Sequence, residues 1–248
     1  MLELIDTYWL YFLVGQYPHG PLGGLALTVL LGAAAMLLAS PLGVVLGVMR
    51  LSPWRWLRWP VTAAVYVIRG TPLLMVVFWA YFFLPAVTGQ KTDQFTTMLV
   101  ALTVFNGVYL AEIVRAGIQG VPKGQLEAAR SLGLSHVQAM RRVVLPQALR
   151  SMLPSLVNQF VITLKETSLG YIIGLNEVSF IAGQINSQVL TRSVEVYGLL
   201  AAVYFVLCFG LSRAAYALEA RLARPIRAPS SGGAPPRPAP LPLSSSAP

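Results

Sequence analysis

Lysine and glutamate stand side by side at Lys165 and Glu166, inside an otherwise apolar stretch. A charge at membrane depth costs several kcal/mol unless it is paired or wet. Neighbours on a helix point about 100° apart, so the two cannot neatly satisfy each other. At least one is expected to face a polar cavity, and Thr167, Ser168 and Gly170 would let the helix loosen beside it. The alternative is that both pair with other helices or snorkel to the outer surface. Asn106, inside another apolar stretch, could add a hydrogen bond; Asn106, Lys165, Glu166 and Thr167 form the candidate pathway set. Glu112 and Arg115 stand three residues apart on one helix face and can pair, which suits a structural charge pair holding a helix end. Catalytic chemistry is poorly provided for. Nucleophiles, acids and metal ligands do not cluster, the histidines are only His19 and His136, and Cys208 is the one cysteine. A lone cysteine excludes an intrachain disulfide.

The elements that carry these residues are membrane helices. Of 248 residues, 56% are hydrophobic and 11% charged, against about 25% charged in soluble domains. The fold class is therefore an all-α polytopic membrane protein. Uncharged or nearly uncharged runs predict five transmembrane helices at about 25–49, 60–85, 95–118, 149–173 and 194–216. Gly43 and Gly47, four apart in the first, either let another helix approach closely or face lipid. In the second, Pro72 predicts a kink at Arg69-Gly70-Thr71-Pro72, where Arg69 either snorkels or pairs in the interior. Residues 1–21 form an N-terminal extracytoplasmic or interfacial segment; Glu3 and Asp6 argue against a signal peptide. Residues 224–248, rich in proline and serine, are expected to be a disordered cytoplasmic tail.

Charge sets the orientation. With the N-terminus outside, Arg50, Arg55, Arg58, Arg115, Lys123, Arg130, Arg141, Arg142, Arg150, Arg213, Arg221, Arg224, Arg227 and Arg237 fall inside, and only Lys91 and Arg192 clearly outside. The 174–192 stretch is then an outer loop. The net charge of +9 reads as this asymmetry rather than as a nucleic-acid surface.

Between the third and fourth spans lies a polar segment of good helix formers, Glu127 to Leu132. Gly133 suits the left-handed residue that ends a helix. Ser135 can cap a second short helix through Val137, Met140 and Val144. A rigid knuckle kept in water suits docking to a soluble partner.

Glu127-Ala128-Ala129, then Gly133, Val143 and Leu145-Pro146 resemble, spacing for spacing, the EAA loop (about 121–146) of ATP-binding-cassette importer permeases; Val143 stands where the family usually has Ile. Arg69-Gly70-Thr71-Pro72-Leu73, the run from Ala111 to Ile118 and Leu164-Lys165-Glu166-Thr167-Ser168-Leu169 resemble the polar amino acid branch. The likeness covers about 22–223, the expected transmembrane domain. It implies a permease subunit, not an enzyme, that binds no cofactor itself. Glu127, Ala128, Ala129, Gly133, Leu145 and Pro146 would couple it to a separate ATPase subunit that uses ATP and Mg. The chain has no Gly-x-x-x-x-Gly-Lys-Ser/Thr, in keeping with this. The other implied partners are an extracytoplasmic amino acid binding protein and a second or sister permease in the bacterial inner membrane. An amino acid carries both an ammonium and a carboxylate, which suits Lys165 and Glu166 side by side. The remaining readings are an ion-coupled secondary carrier and a non-transporting membrane scaffold.

Overall fold

The computed structural model describes residues 2–89 and 93–222; Lys91 and the 224–248 tail, with Arg224, Arg227 and Arg237, lie outside them. The described residues form helices α1 (Leu2–Val14), α2 (Gly24–Arg50), α3 (Arg55–Gly70), α4 (Leu73–Phe78), α5 (Leu84–Thr88), α6 (Gln94–Gln119), α7 (Lys123–Ser131), α8 (His136–Ala139), α9 (Leu145–Glu166), α10 (Val178–Val189) and α11 (Ser193–Leu222).

By length and apolar character, α2, α6 and α11 can each cross a membrane. The second expected span is broken. Thr71 is extended ahead of Pro72, and the chain turns by 103° between α3 and the α4–α5 segment, so the two halves count as a fourth span only if taken together. The expected kink is present, and it is a sharp corner. The fourth expected span is also divided: α9 stops at Glu166, and a 3-10 helix, Thr167–Ile173, follows.

The packing spine is α2 against α6. A Cβ on Gly43 would lie 2.4 Å from the Leu110 Cβ, and one on Gly47 2.9 Å from the Ala111 carbonyl. The glycine pair faces a helix, not lipid, and lets the two backbones approach. Leu31, Ala35, Met98, Leu102 and Phe105 continue this core. A second core stands where the sequence reads as a loop, at 174–192. Residues 178–189 form α10, whose Val178, Ile181 and Ile185 pack with Leu4 and Phe12 of α1 and Val196 of α11. The N-terminal helix is thus fastened to the bundle on one face, and Tyr11 adds a 2.6 Å hydrogen bond to Gln184.

Two π turns share a cause. Leu84 donates to the Trp79 carbonyl and Leu145 to the Met140 carbonyl, each five residues back, and each leucine precedes a proline. Proline lacks the N–H and crowds the carbonyl four residues back, so the turn before it widens.

Candidate functional site

Asn106 of α6 is wholly buried, and all four of its side-chain hydrogen-bonding positions are used. Its Oδ1 accepts from Gln159 Nε2 at 2.7 Å and Thr163 Oγ1 at 2.8 Å. Its Nδ2 donates to the Leu102 carbonyl at 3.0 Å and to Glu166 Oε2 at 3.1 Å. Gln159, Thr163 and Glu166 lie four and three residues apart, one face of α9 turned to α6. Gln159 also lines a cavity of about 450 Å³ between α6, α9 and α11, with Ser155, Asn158, Ile113, Ser212 and Tyr216. That volume suits a small polar molecule. A carboxylate held by one amide hydrogen bond keeps acceptor capacity for a cation.

Of the four expected pathway residues, Asn106 and Glu166 come together. Lys165, next to Glu166, is exposed and turned away from them. Thr167 is buried, but its hydroxyl closes back on the Leu164 carbonyl at 2.7 Å. Gln159 and Thr163 were not expected. Their signal is the polar stripe Ser155, Gln159, Thr163, Glu166 at helical spacing, easily masked by the apolar residues between.

The Glu112–Arg115 pair is present and belongs to a larger knot. Glu112 accepts three hydrogen bonds: two from Arg115, one of them from Nε at 3.3 Å, and one from Arg50 of α2. Arg69 of α3 stands 3.7 Å away. It also covers the Tyr109 ring at 5.2 Å, so it pairs while its side chain stays 34% exposed. The knot thus holds the helix end, as the pair's spacing suggests, by tying α6 to α2 and α3. Arg50 is only 7% exposed; as the last residue of an apolar run it reads in sequence as an interfacial cation.

The knuckle takes the expected shape at its first half. Glu127, Ala128 and Ala129 lie on α7, with Ala129 buried and Glu127 and Ala128 exposed. Gly133 has φ +86 and open space around it, so the backbone alone requires glycine there. Ser135 caps α8, with Gln138 returning the bond in a capping box. The second helix is not a separate short one: α8 runs through the π turn at Met140–Val144 into α9, with Leu145 and Pro146 at the join. Leu132 and Val137 at the bend are 85% and 73% exposed.

A buried carboxylate escaped the sequence reading. Glu177 caps α10 by accepting from Ser179 N and Phe180 N, both at 2.9 Å, and Tyr204 of α11 reaches it at 3.3 Å. Burial pushes its carboxyl up to about 7, against the two amide hydrogen bonds, which lower it. Within the notionally polar loop 174–192, the sign of a packed helix was the acidic cap followed by apolar residues at 178, 181 and 185.

The chain is similar to several known proteins. A glutamine ABC transporter permease protein of Bacillus subtilis, GlnP, described as probable, is 38% identical over 200 residues, covering 80% of this chain and 91% of its own length. The glutamate/aspartate import permease protein GltK of Escherichia coli O157:H7 is 36% identical over 209 residues, 82% of this chain and 93% of the relative. The L-cystine transport system permease protein TcyB of Bacillus subtilis is 36% identical over 202 residues, 82% and 86%. Among solved structures, an amino acid ABC transporter with histidines matches with a TM-score of 0.76 and 37% identity, over 80% of this chain and 92% of the other. The MetNI methionine ABC transporter, in an inward-facing conformation, shares the fold at a TM-score of 0.61 and 24% identity, over the same shares of the two chains. Residues 39–224 match the family described as binding-protein-dependent transport system inner membrane component. By that match and those relatives, the chain belongs to the family of multi-pass inner membrane permease components of binding-protein-dependent ABC transport systems.

Proposed function

We propose that this chain forms the translocation pathway of an ATP-driven importer for a polar amino acid. The observation that carries the proposal is the buried node of Asn106, Gln159, Thr163 and Glu166, joined through Gln159 to the cavity between α6, α9 and α11. The carboxylate of Glu166 would meet the substrate ammonium, and the amides of Gln159 and Asn158 its carboxylate. The relatives named for glutamine, cystine and glutamate/aspartate support an amino acid as cargo. They weigh against the ion-coupled carrier and the scaffold.

ATP and Mg would be used by a separate ATPase subunit seated on the knuckle. Ala128 would allow close approach there, with Glu127, Leu132 and Val137 exposed around it. Ala129, Gly133, Leu145 and Pro146 would set the knuckle's shape. An extracytoplasmic binding protein would deliver the substrate, and a second permease copy or sister chain would complete the pathway. In this reading α9 with its 3-10 continuation is the fourth of five crossings, and the N-terminus lies outside.

The test is uptake by the assembled transporter carrying Glu166→Gln, which keeps the side-chain shape and removes the charge. The apparent KM for the amino acid should rise at least about tenfold, the lower end for one hydrogen bond to a charged group, while Lys165→Met changes it little. Unchanged affinity and selectivity in Glu166→Gln, with normal ATPase coupling, would remove the node from the pathway.

A further inference from the structure

We infer that the elbow between α2 and α3 is a binding site for an anionic phospholipid, its phosphate held by Arg55 and Arg58 and one acyl chain lying in the groove beside them. Charge is the first argument. From Thr7 to Thr92 the sequence contains no acidic residue, while Arg50, Arg55, Arg58 and Arg69 all fall within it. Arg50 and Arg69 find Glu112, which Arg115 also engages. Among the described residues no ion pair reaches Arg55 or Arg58, and both are exposed. Glu112, the acid that Arg50 and Arg69 find, already answers three arginines, so among the described residues these two cations have no ion-pair partner.

Shape is the second argument. Trp54, Trp56 and Trp59 alternate with the two arginines and are 61%, 73% and 67% exposed. Trp54 and Trp56 stack with centroids 6.1 Å apart. Indole rings prefer the headgroup level, where an apolar face and a wet N–H donor are both satisfied. Below them Arg58, Trp59, Thr62, Ala63 and Tyr66 line a groove of about 350 Å³. Its walls are mostly apolar, the polar groups being the Arg58 head, the Trp59 N–H and the Thr62 and Tyr66 hydroxyls, which suits a hydrocarbon chain. A guanidinium at one end of an apolar groove, with aromatic rings at the same level, matches a lipid of net negative charge better than a zwitterionic one, whose own ammonium competes for the phosphate. It matches a basic protein surface not at all.

The experiment uses the full chain with Trp9→Phe and Trp79→Phe, so that its indole fluorescence comes from the elbow. It is reconstituted in phosphatidylcholine vesicles and titrated with dibrominated phosphatidylglycerol or dibrominated phosphatidylcholine, and the relative binding constant is read from quenching. Phosphatidylglycerol should be preferred. Arg55→Gln/Arg58→Gln should reduce that preference by up to about 25-fold, two cations at about fivefold each. Arg55→Lys/Arg58→Lys should keep most of it. Equal quenching by the two lipids, or a preference that survives the glutamine pair, would overturn the site. Quenching by neither lipid would also overturn it, because a second copy of the chain or another subunit would then cover the elbow. Native mass spectrometry of the unsubstituted chain supplies an independent count. Retained phosphatidylglycerol that is lost with Arg55→Gln/Arg58→Gln supports the site, and retention unaffected by the pair sinks it.

Discussion

Glu112 answers three arginines from three helices, and that makes one carboxylate the joint of α2, α3 and α6. Removing one partner of a buried pair costs about 3–5 kcal/mol because the other charge is stranded. The Glu112 side chain is 24% exposed, so water offsets part of that, and about 1–3 kcal/mol is expected for Glu112→Gln. The stranded group that matters is Arg50, whose side chain is only 4% exposed. Thermal unfolding of the purified protein should show the loss, with amino acid selectivity unchanged in whatever fraction assembles. A selective change of substrate with normal stability would place Glu112 on the pathway instead. The i, i+3 pairing of Glu112 with Arg115 was legible because it is local. Arg50 lies 62 residues from Glu112, and no one-dimensional pattern joins them. The same holds at Asn106: its polar character in an apolar run was visible, but the partners that satisfy it come from α9, 53 to 60 residues on.

At the scale of elements, local rules worked wherever the backbone itself was at stake. Pro72 ended α3, Ser135 capped α8 and Gly133 took the left-handed conformation its position required. Hydropathy failed where a helix is short and packed. The α10 helix carries Asn, Gln and Ser on one side, so the average over 174–192 looks polar although its other side is core. It failed again at the corner between α3 and α4, because summing apolar residues is blind to direction. Gly133 provides a clean test of the knuckle. No atom lies within 4 Å of a Cβ built there, so Gly133→Val strains only the backbone. A left-handed residue with a Cβ costs about 1–2 kcal/mol, and more for a β-branched side chain. The bend between α7 and α8 should relax to avoid it. In vesicles containing the assembled transporter, ATP hydrolysis should persist while uptake per ATP falls at least several-fold. Gly133→Asn, which tolerates this conformation, should stay coupled. Normal uptake per ATP with Gly133→Val would reduce the glycine to a helix terminator.

For the whole molecule, the charge distribution makes a single statement that the fold can be asked to honour. Taking α2, the bent α3–α5 segment and α6 as one crossing each, the cations at 50–58 and those at 115–150 reach the same membrane face. If α9 with its 3-10 continuation is counted as a further crossing, the turn between α10 and α11, with Arg192, reaches the other. The basic face should be cytoplasmic, since lysine and arginine in short loops resist translocation. Leu190 and Val194, exposed at the α10–α11 turn, should therefore lie outside. Gly124 on α7, with open space around it, should lie inside. Cys208 is the sole cysteine and is buried, so Cys208→Ala gives a background free of thiols at modest cost in packing. In that background, a membrane-impermeant maleimide applied to intact cells should label Leu190→Cys. It should leave Gly124→Cys untouched until the membrane is permeabilised. The opposite pattern would invert the orientation and move the knuckle, with Glu127 to Pro146, out of reach of any cytoplasmic ATPase. It would thereby break the coupling scheme while leaving the α6–α9 node where it is.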